Sequence, residues 1–232
     1  MRQGRSSDAP PSVDVAPFEY GRIADLYDAW FRFLGFKRGV AQFLARIDWR
    51  LPARARVLDA GAGTGIMALW FIERFADAQV VAFDIDRQML AVLARSARRL
   101  GELRERLIVA HGDLRSPDLL TRLDSGQALA LVEHTFDAVV VGAALEHAPL
   151  DASVGRLARL LRPGGAFLNL GVRPGRTASM LGHLYRFRPY STGEIRESLA
   201  RVGLVDARVL PLTATDFPAN LTRIGVIARR PE

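Results

Sequence analysis

Apolar residues along the chain fall into two alternating rhythms from about residue 52 onward. Short, nearly continuous apolar runs at Arg56–Ala60, Gln79–Phe83, Leu107–Ala110, Phe136–Val141 and Gly165–Gly171 predict buried strands. Between them, residues spaced three and four apart predict helices at Ile66–Ala76, Arg87–Leu100, Pro117–Leu123 and Ala152–Leu161. Strand–helix units of this length imply a parallel sheet covered by helices on both faces. Arg162-Pro163-Gly164-Gly165 reads as a helix stop and a turn into the next strand, and Asp124–Thr135 as a loose excursion. A helix at Thr192–Val202 and strands near Val205–Leu210 and Thr222–Ala228 complete an α/β chain.

The segment before residue 52 has a different character. Residues 1–17 carry three prolines and no apolar period, which predicts a disordered tail. From Tyr20 to Ile47 the spacing is helical again, with Gly35 between two expected helices placed to cap a cleft. The expected organisation is a tail (1–17), cap helices (18–50) and one α/β domain (51–232).

Composition narrows the chemistry. With 232 residues, 49% of them hydrophobic, the chain is long enough to bury one full core. There is no cysteine, which excludes disulfides, thiolate zinc sites and cysteine-ligated clusters. Four scattered histidines suggest no metal site, so metal-free chemistry is the expectation. No apolar run approaches the ~18–20 residues of a transmembrane span and no secretory signal opens the chain, so the expected location is cytoplasmic, with peripheral membrane contact left open. The net charge of +7 is almost all arginine, Lys37 being the only lysine, and it is spread along the chain rather than clustered as in a nucleic-acid stripe.

The chemistry-bearing stretch is Val57-Leu58-Asp59-Ala60-Gly61-Ala62-Gly63-Thr64-Gly65-Ile66. A strand ends in an acid and feeds a helix through three alternate glycines, a loop that lets backbone approach a ligand closely. Alignment on G-x-G-x-x-G puts Ile66 where the third glycine belongs, and no lysine follows as a phosphate loop requires. Asp59 would oppose a pyrophosphate and can balance a cation. The second strand ends at Asp84, followed by apolar Ile85, and an acid there can accept from both hydroxyls of a ribose. The third ends in His111-Gly112-Asp113-Leu114, which offers an acceptor for an amino group and an apolar face for a ring.

VLDAGAGTG, the acid of VVAFDID, HGDL, FDAVVVGAALEH and LLRPGGAF, in this order, resemble the motifs of class I S-adenosylmethionine-dependent methyltransferases. The resemblance implies a Rossmann-like sandwich with a seven-stranded, mostly parallel sheet whose last strand is antiparallel. It implies S-adenosylmethionine as cofactor and S-adenosylhomocysteine as product. Asp59, Gly61, Gly63 and Gly65 would border the methionine part, Asp84 the ribose, with Ile85 as its apolar neighbour, and Asp113 with Leu114 the adenine. Gly142 would lie near the reacting methyl. The stretch from Tyr20 to Asp28 is similar to the N-terminal helix of small-molecule, quinone and phospholipid methyltransferases, where Tyr27 would cover the cofactor.

Methyl transfer from a sulfonium is an in-line displacement, so positioning comes first and a base is needed only for a protonated nucleophile. His147, just beyond the fourth strand, is the candidate base. Gly142-Ala143-Ala144-Leu145 departs from the [DNS]-P-P-[YFW] motif of enzymes that methylate exocyclic amines, which disfavours nucleic acid and favours a small-molecule acceptor. Arginines and tyrosines of Arg173–Thr192 suit an acceptor pocket or lid. Alternatives are a nucleic-acid or protein methyltransferase, a non-catalytic S-adenosylmethionine-binding module and, more distantly, a nicotinamide-dependent reductase.

Overall fold

A computed structural model of the chain describes residues 35–175 and 187–232. The expected tail, the first cap helix with Tyr27, and most of the arginine-rich stretch after Gly175 lie outside the described residues.

The strands are β1 (Arg56–Ala60), β2 (Gln79–Asp84), β3 (Leu107–Asp113), β4 (Ser116–Arg122), β5 (Ala128–Leu129), β6 (Phe136–Gly142), β7 (Leu161–Val172), β8 (Val205–Leu210) and β9 (Arg223–Arg229). They form one sheet in the order β5-β4-β3-β2-β1-β6-β7-β9-β8. The five strands β3, β2, β1, β6 and β7 are mutually parallel, and β9 inserts antiparallel between β7 and β8. The order reverses beside β1, and the carboxyl ends of β1 and β6 therefore flank the crevice where ligands bind in open sheets of this kind.

Helices cover both faces: α1 (Phe36–Ala45), α2 (Ile66–Arg74), α3 (Arg87–Ala97), α4 (Leu150–Leu160), α5 (Thr192–Arg201) and the short α6 (Ala219–Thr222). Successive strand residues point to opposite faces, and two separate cores result. Leu58, Val139, Val141 and Phe167 pack with Leu157 of α4 and Leu199 of α5. Val57, Val140 and Leu168 pack with Phe43 of α1, Phe71 of α2 and Leu90 of α3. Gly35, at φ 73°, precedes α1, whose buried face is Phe36, Gly39, Val40, Phe43 and Leu44. The Arg46 guanidinium then donates two hydrogen bonds to the fully buried carboxylate of Asp216, which ties α1 to the turn before α6.

Among the described residues the sheet has nine strands where seven are expected, and the difference is a hairpin on the β3 edge. Pro117–Leu123, expected as a helix, lies mostly within β4, antiparallel to β3. Asp113 reverses the chain by accepting from the Arg115 N–H at 2.8 Å. Gly112 leaves the space that the Leu120 side chain fills, so Leu120 is buried while its neighbour Leu119 is exposed. That alternation is a strand's period, and the unpaired edge of β3 outweighs the helical spacing of a short segment. The loose excursion at Asp124–Thr135 contains β5, which returns through a turn with Gly126 at φ 70°. At Arg162–Gly165 the chain turns within β7, where the β6–β7 register shifts and Gly164 takes φ 74°.

Candidate active site

The β1–α2 loop is shaped by its three glycines. Gly61, Gly63 and Gly65 all have positive φ, at 72°, 54° and 82°, a region costly for residues with a Cβ. Gly61 and Ala62 donate their N–H groups to the Phe83 carbonyl at 2.8 and 2.9 Å, which pins the loop to the end of β2. Added side chains at the three positions would meet different surroundings. At Gly61 a Cβ would overlap Ala144 and come 3.1 Å from Leu114. At Gly65 it would overlap Leu93 of α3, whereas at Gly63 it would meet nothing within 4 Å. Gly63 thus leaves an open cradle, and Gly65 caps α2, whose first N–H groups face that end.

Asp59 lies beneath this loop, fully buried. Its Oδ2 accepts from the Ala68 N–H of α2 at 2.8 Å, while Oδ1 is buried without a hydrogen-bond partner. Desolvation pushes its pKa up to about 7; the Ala68 N–H opposes the shift and the nearby Asp84 adds to it. The sequence suggests a fixed charge here. The geometry makes it conditional, since ionisation near neutrality waits for a cation or a donor at Oδ1. An orphaned buried carboxyl oxygen under an open glycine cradle fits a ligand that carries positive charge.

Asp84 closes the cradle from β2. Its Oδ2 accepts from Gly63 N–H at 2.7 Å and its Oδ1 from Asp86 N–H at 2.8 Å, so it braces the loop and retains lone pairs for ribose hydroxyls. Burial raises its pKa, opposed by those backbone donors. Ile85 beside it is 40% exposed, an apolar side chain kept at the surface, and His111 donates from Nε2 to its carbonyl at 3.1 Å. Asp113 and Leu114 follow on β3. The Leu114 side chain is buried next to Gly61, whereas the Asp113 carboxylate is half-buried and accepts from Arg115 Nε at 2.8 Å. Desolvation works against ionisation of Asp113, yet the side-chain and backbone bonds from Arg115 together hold its pKa below the usual range.

Gly142 ends β6, and a Cβ there would stand 2.9 Å from the Met67 methyl, so the floor beside β1 is kept flat. Asp59, the glycines, Asp84, Ile85, Asp113, Leu114 and Gly142 therefore gather along the carboxyl ends of four neighbouring parallel strands.

The turn after β6 builds the other wall. His147 ends a short 3-10 turn, Leu145–His147, with its ring centroid 5.6 Å from that of Phe187. The residue is exposed, but protein atoms around the ring hold its pKa below the ordinary histidine value by desolvation. Residues 187–190 fasten to this turn: Arg188 N–H donates to the Glu146 carbonyl at 3.0 Å and Tyr190 OH to the Ala148 carbonyl at 3.0 Å.

Glu146 is a residue that the sequence reading passes over. It is 5% exposed, its Oε1 accepts from Val172 N–H at 2.6 Å, and its Oε2 has no partner. Burial raises its pKa, against the pull of the Val172 N–H and of Arg223. Asn169 of β7, also buried, has an unpartnered Oδ1. The available signal was an acid that follows the apolar stretch Ala143–Leu145 directly after a buried strand, since an unpaired carboxylate there is costly.

Residues 57–165 match the family model described as "Methyltransferase domain". The chain is 30% identical over 209 residues to a demethylmenaquinone methyltransferase of Thermus thermophilus, covering 86% of this chain and 84% of that one. It is 29% identical over 230 residues to a ubiquinone/menaquinone biosynthesis C-methyltransferase of Syntrophotalea carbinolica, covering 96% and 87% respectively. Among solved structures, a Haemonchus contortus phosphoethanolamine N-methyltransferase 2 in complex with S-adenosyl-L-methionine shares the fold, with a TM-score of 0.65 and 16% identity over 84% of this chain and 52% of that one. The chain belongs to the class I S-adenosylmethionine-dependent methyltransferases and is similar to the quinone C-methyltransferases among them.

Proposed function

We propose that this enzyme methylates a small molecule, namely the ring of a quinone-type compound in its reduced, quinol form, a reading supported by relatives named for demethylmenaquinone and for ubiquinone/menaquinone biosynthesis, and that it works in the cytoplasm. Among the described residues no helix is long and apolar enough to cross a membrane. S-adenosylmethionine supplies an activated methyl group on a sulfonium when bound. The observation that carries the reading is the orphaned Asp59 Oδ1 beneath the Gly61–Gly65 cradle, with Asp84 at its rim.

In this reading Asp59 and the loop glycines border the methionine part and Asp84 with Ile85 holds the ribose. Leu114 packs on the adenine, and Asp113 takes its amino group after sharing or releasing Arg115. Gly142 keeps the floor open where the methyl is transferred.

His147 acts on the acceptor. Desolvation disfavours the charged imidazolium, so the neutral ring can take a proton from a quinol hydroxyl. The electron pair of the broken O–H bond raises the nucleophilicity of the ring carbon, which forms its bond to the methyl as the sulfur–methyl bond breaks; the ring regains aromaticity when that carbon loses its proton to solvent, and the oxygen recovers its own proton from His147. The Phe187 ring beside the imidazole limits its orientations. His147→Ala is expected to keep S-adenosylhomocysteine affinity and lose at least tenfold in the rate of methyl transfer to naphthalene-1,4-diol, followed by mass spectrometry. An unchanged rate would remove His147 from the reaction, and no methylation by the wild-type enzyme would remove the quinol.

A further inference from the structure

Two buried side-chain oxygens on the acceptor side, Glu146 Oε2 and Asn169 Oδ1, lack hydrogen-bond partners. Both side chains are more than nine-tenths buried. They come together over the bare backbone of Gly171, where a Cβ would lie 2.9 Å from Glu146 Oε1 and 2.8 Å from Asn169 Nδ2. A side chain at residue 171 would push them apart, so the glycine maintains the juxtaposition. The spot adjoins the place of methyl transfer: Leu170 pairs with Gly142 across β6 and β7, and Glu146 reaches over to the next two residues of β7.

An unpaired buried acceptor costs about 1–3 kcal/mol, so each of these oxygens, carried on side chains that both flank Gly171, marks a place where a donor belongs. Glu146 is also held firmly. Its Oε1 is taken by Val172 N–H, and its backbone carbonyl is fixed by Arg188 N–H. Only Oε2 remains to be used.

We infer that Glu146 and Asn169 form a subsite that reads a hydrogen-bond donor on the methyl acceptor, a hydroxyl in the quinol case, by accepting from it at Glu146 Oε2 and Asn169 Oδ1. This rests on the small-molecule methyltransferase reading above and gives it a specificity determinant. The subsite holds the reduced, hydroxyl-bearing form of the acceptor and rejects a form with no donor, because a carbonyl or ether would set oxygen lone pairs against oxygen lone pairs.

The test exploits the fixed bond to Val172. In Glu146→Gln the amide oxygen must face the Val172 N–H, which places the NH₂ group at the former Oε2 position and turns an acceptor into a donor. Protein saturated with S-adenosylhomocysteine is titrated anaerobically with naphthalene-1,4-diol and with its dimethyl ether. Wild type is expected to bind the diol at least tenfold more tightly than the diether. Glu146→Gln should bring that ratio to one or below, and Gly171→Ala should reduce it by displacing both side chains, with S-adenosylhomocysteine affinity unchanged in each. A wild-type protein that binds the two compounds equally, or neither, overturns the inference, as does a Glu146→Gln variant that keeps the wild-type ratio. Failure of wild type to bind S-adenosylhomocysteine would instead overturn the underlying methyltransferase reading, so the two failures are distinguishable.

Discussion

The two walls of the cleft are built in opposite ways. On the β1–β2–β3 side the shape comes from backbone: three positive-φ glycines, N–H groups turned onto Phe83, and carboxylates of Asp59 and Asp84 that each accept from a loop or helix N–H. On the β6–β7 side it comes from side chains, with Glu146 and His147 from one turn and Asn169 and Tyr190 from two other segments. A cradle made of backbone suits a ligand that never changes, because its geometry depends on few side-chain identities. A wall made of side chains can be altered residue by residue without disturbing the cradle, which suits an acceptor that differs among relatives.

The largest expected effect lies in the cradle. Gly65→Ala combines a left-handed backbone with overlap on Leu93, and strain plus overpacking should cost about 2–5 kcal/mol. Chemical denaturation would register it as a lower midpoint, and binding of S-adenosylhomocysteine should be lost. A variant with wild-type stability would show that the loop is not braced by α3.

Next is the pH dependence of the empty protein. The folded pKa of Asp59, near 7, exceeds its unfolded value of 3.8, so the folded state holds the extra proton between those values. Stability is therefore greatest at the acid end and falls as pH rises through that window, by up to about 4 kcal/mol from this group, with Asp84 shifted in the same direction. Asp59→Asn should flatten the slope between pH 4 and 7. It should also weaken the sulfonium cofactor more than neutral S-adenosine analogues lacking the amino acid part. A slope identical to wild type would contradict the conditional charge.

The smallest effect belongs to the side-chain wall. Tyr190→Phe removes the bond to the Ala148 carbonyl, worth about 1 kcal/mol. A slightly lower thermal midpoint with unchanged S-adenosylhomocysteine affinity is expected, and a large loss of that affinity would mean that the two walls are not separable.

The same contrast explains what could be read from sequence. The glycine spacing, the strand-terminal acids Asp84 and Asp113, and the apolar strands are local patterns, and they gave the fold and the cradle. Leu119 and Leu120 misled because two adjacent apolar residues in a short segment fit either period, and only the open β3 edge and the room at Gly112 decide for a strand. The commitment of Asp113 to Arg115 is likewise a matter of turn geometry. Glu146 and Asn169 are 23 residues apart on different elements, and nothing local announces that Gly171 lets them meet.

Gly63 separates the cofactor reading from the stability of the fold most directly, because a Cβ there meets no protein atom within 4 Å. Calorimetric titration of wild type and Gly63→Ala with S-adenosylhomocysteine should show binding to wild type and at least a tenfold weaker affinity in the variant, about 1.4 kcal/mol, although the variant still unfolds cooperatively. Equal affinity in the two proteins, or no binding to wild type, would contradict the assignment of this loop as the cofactor cradle.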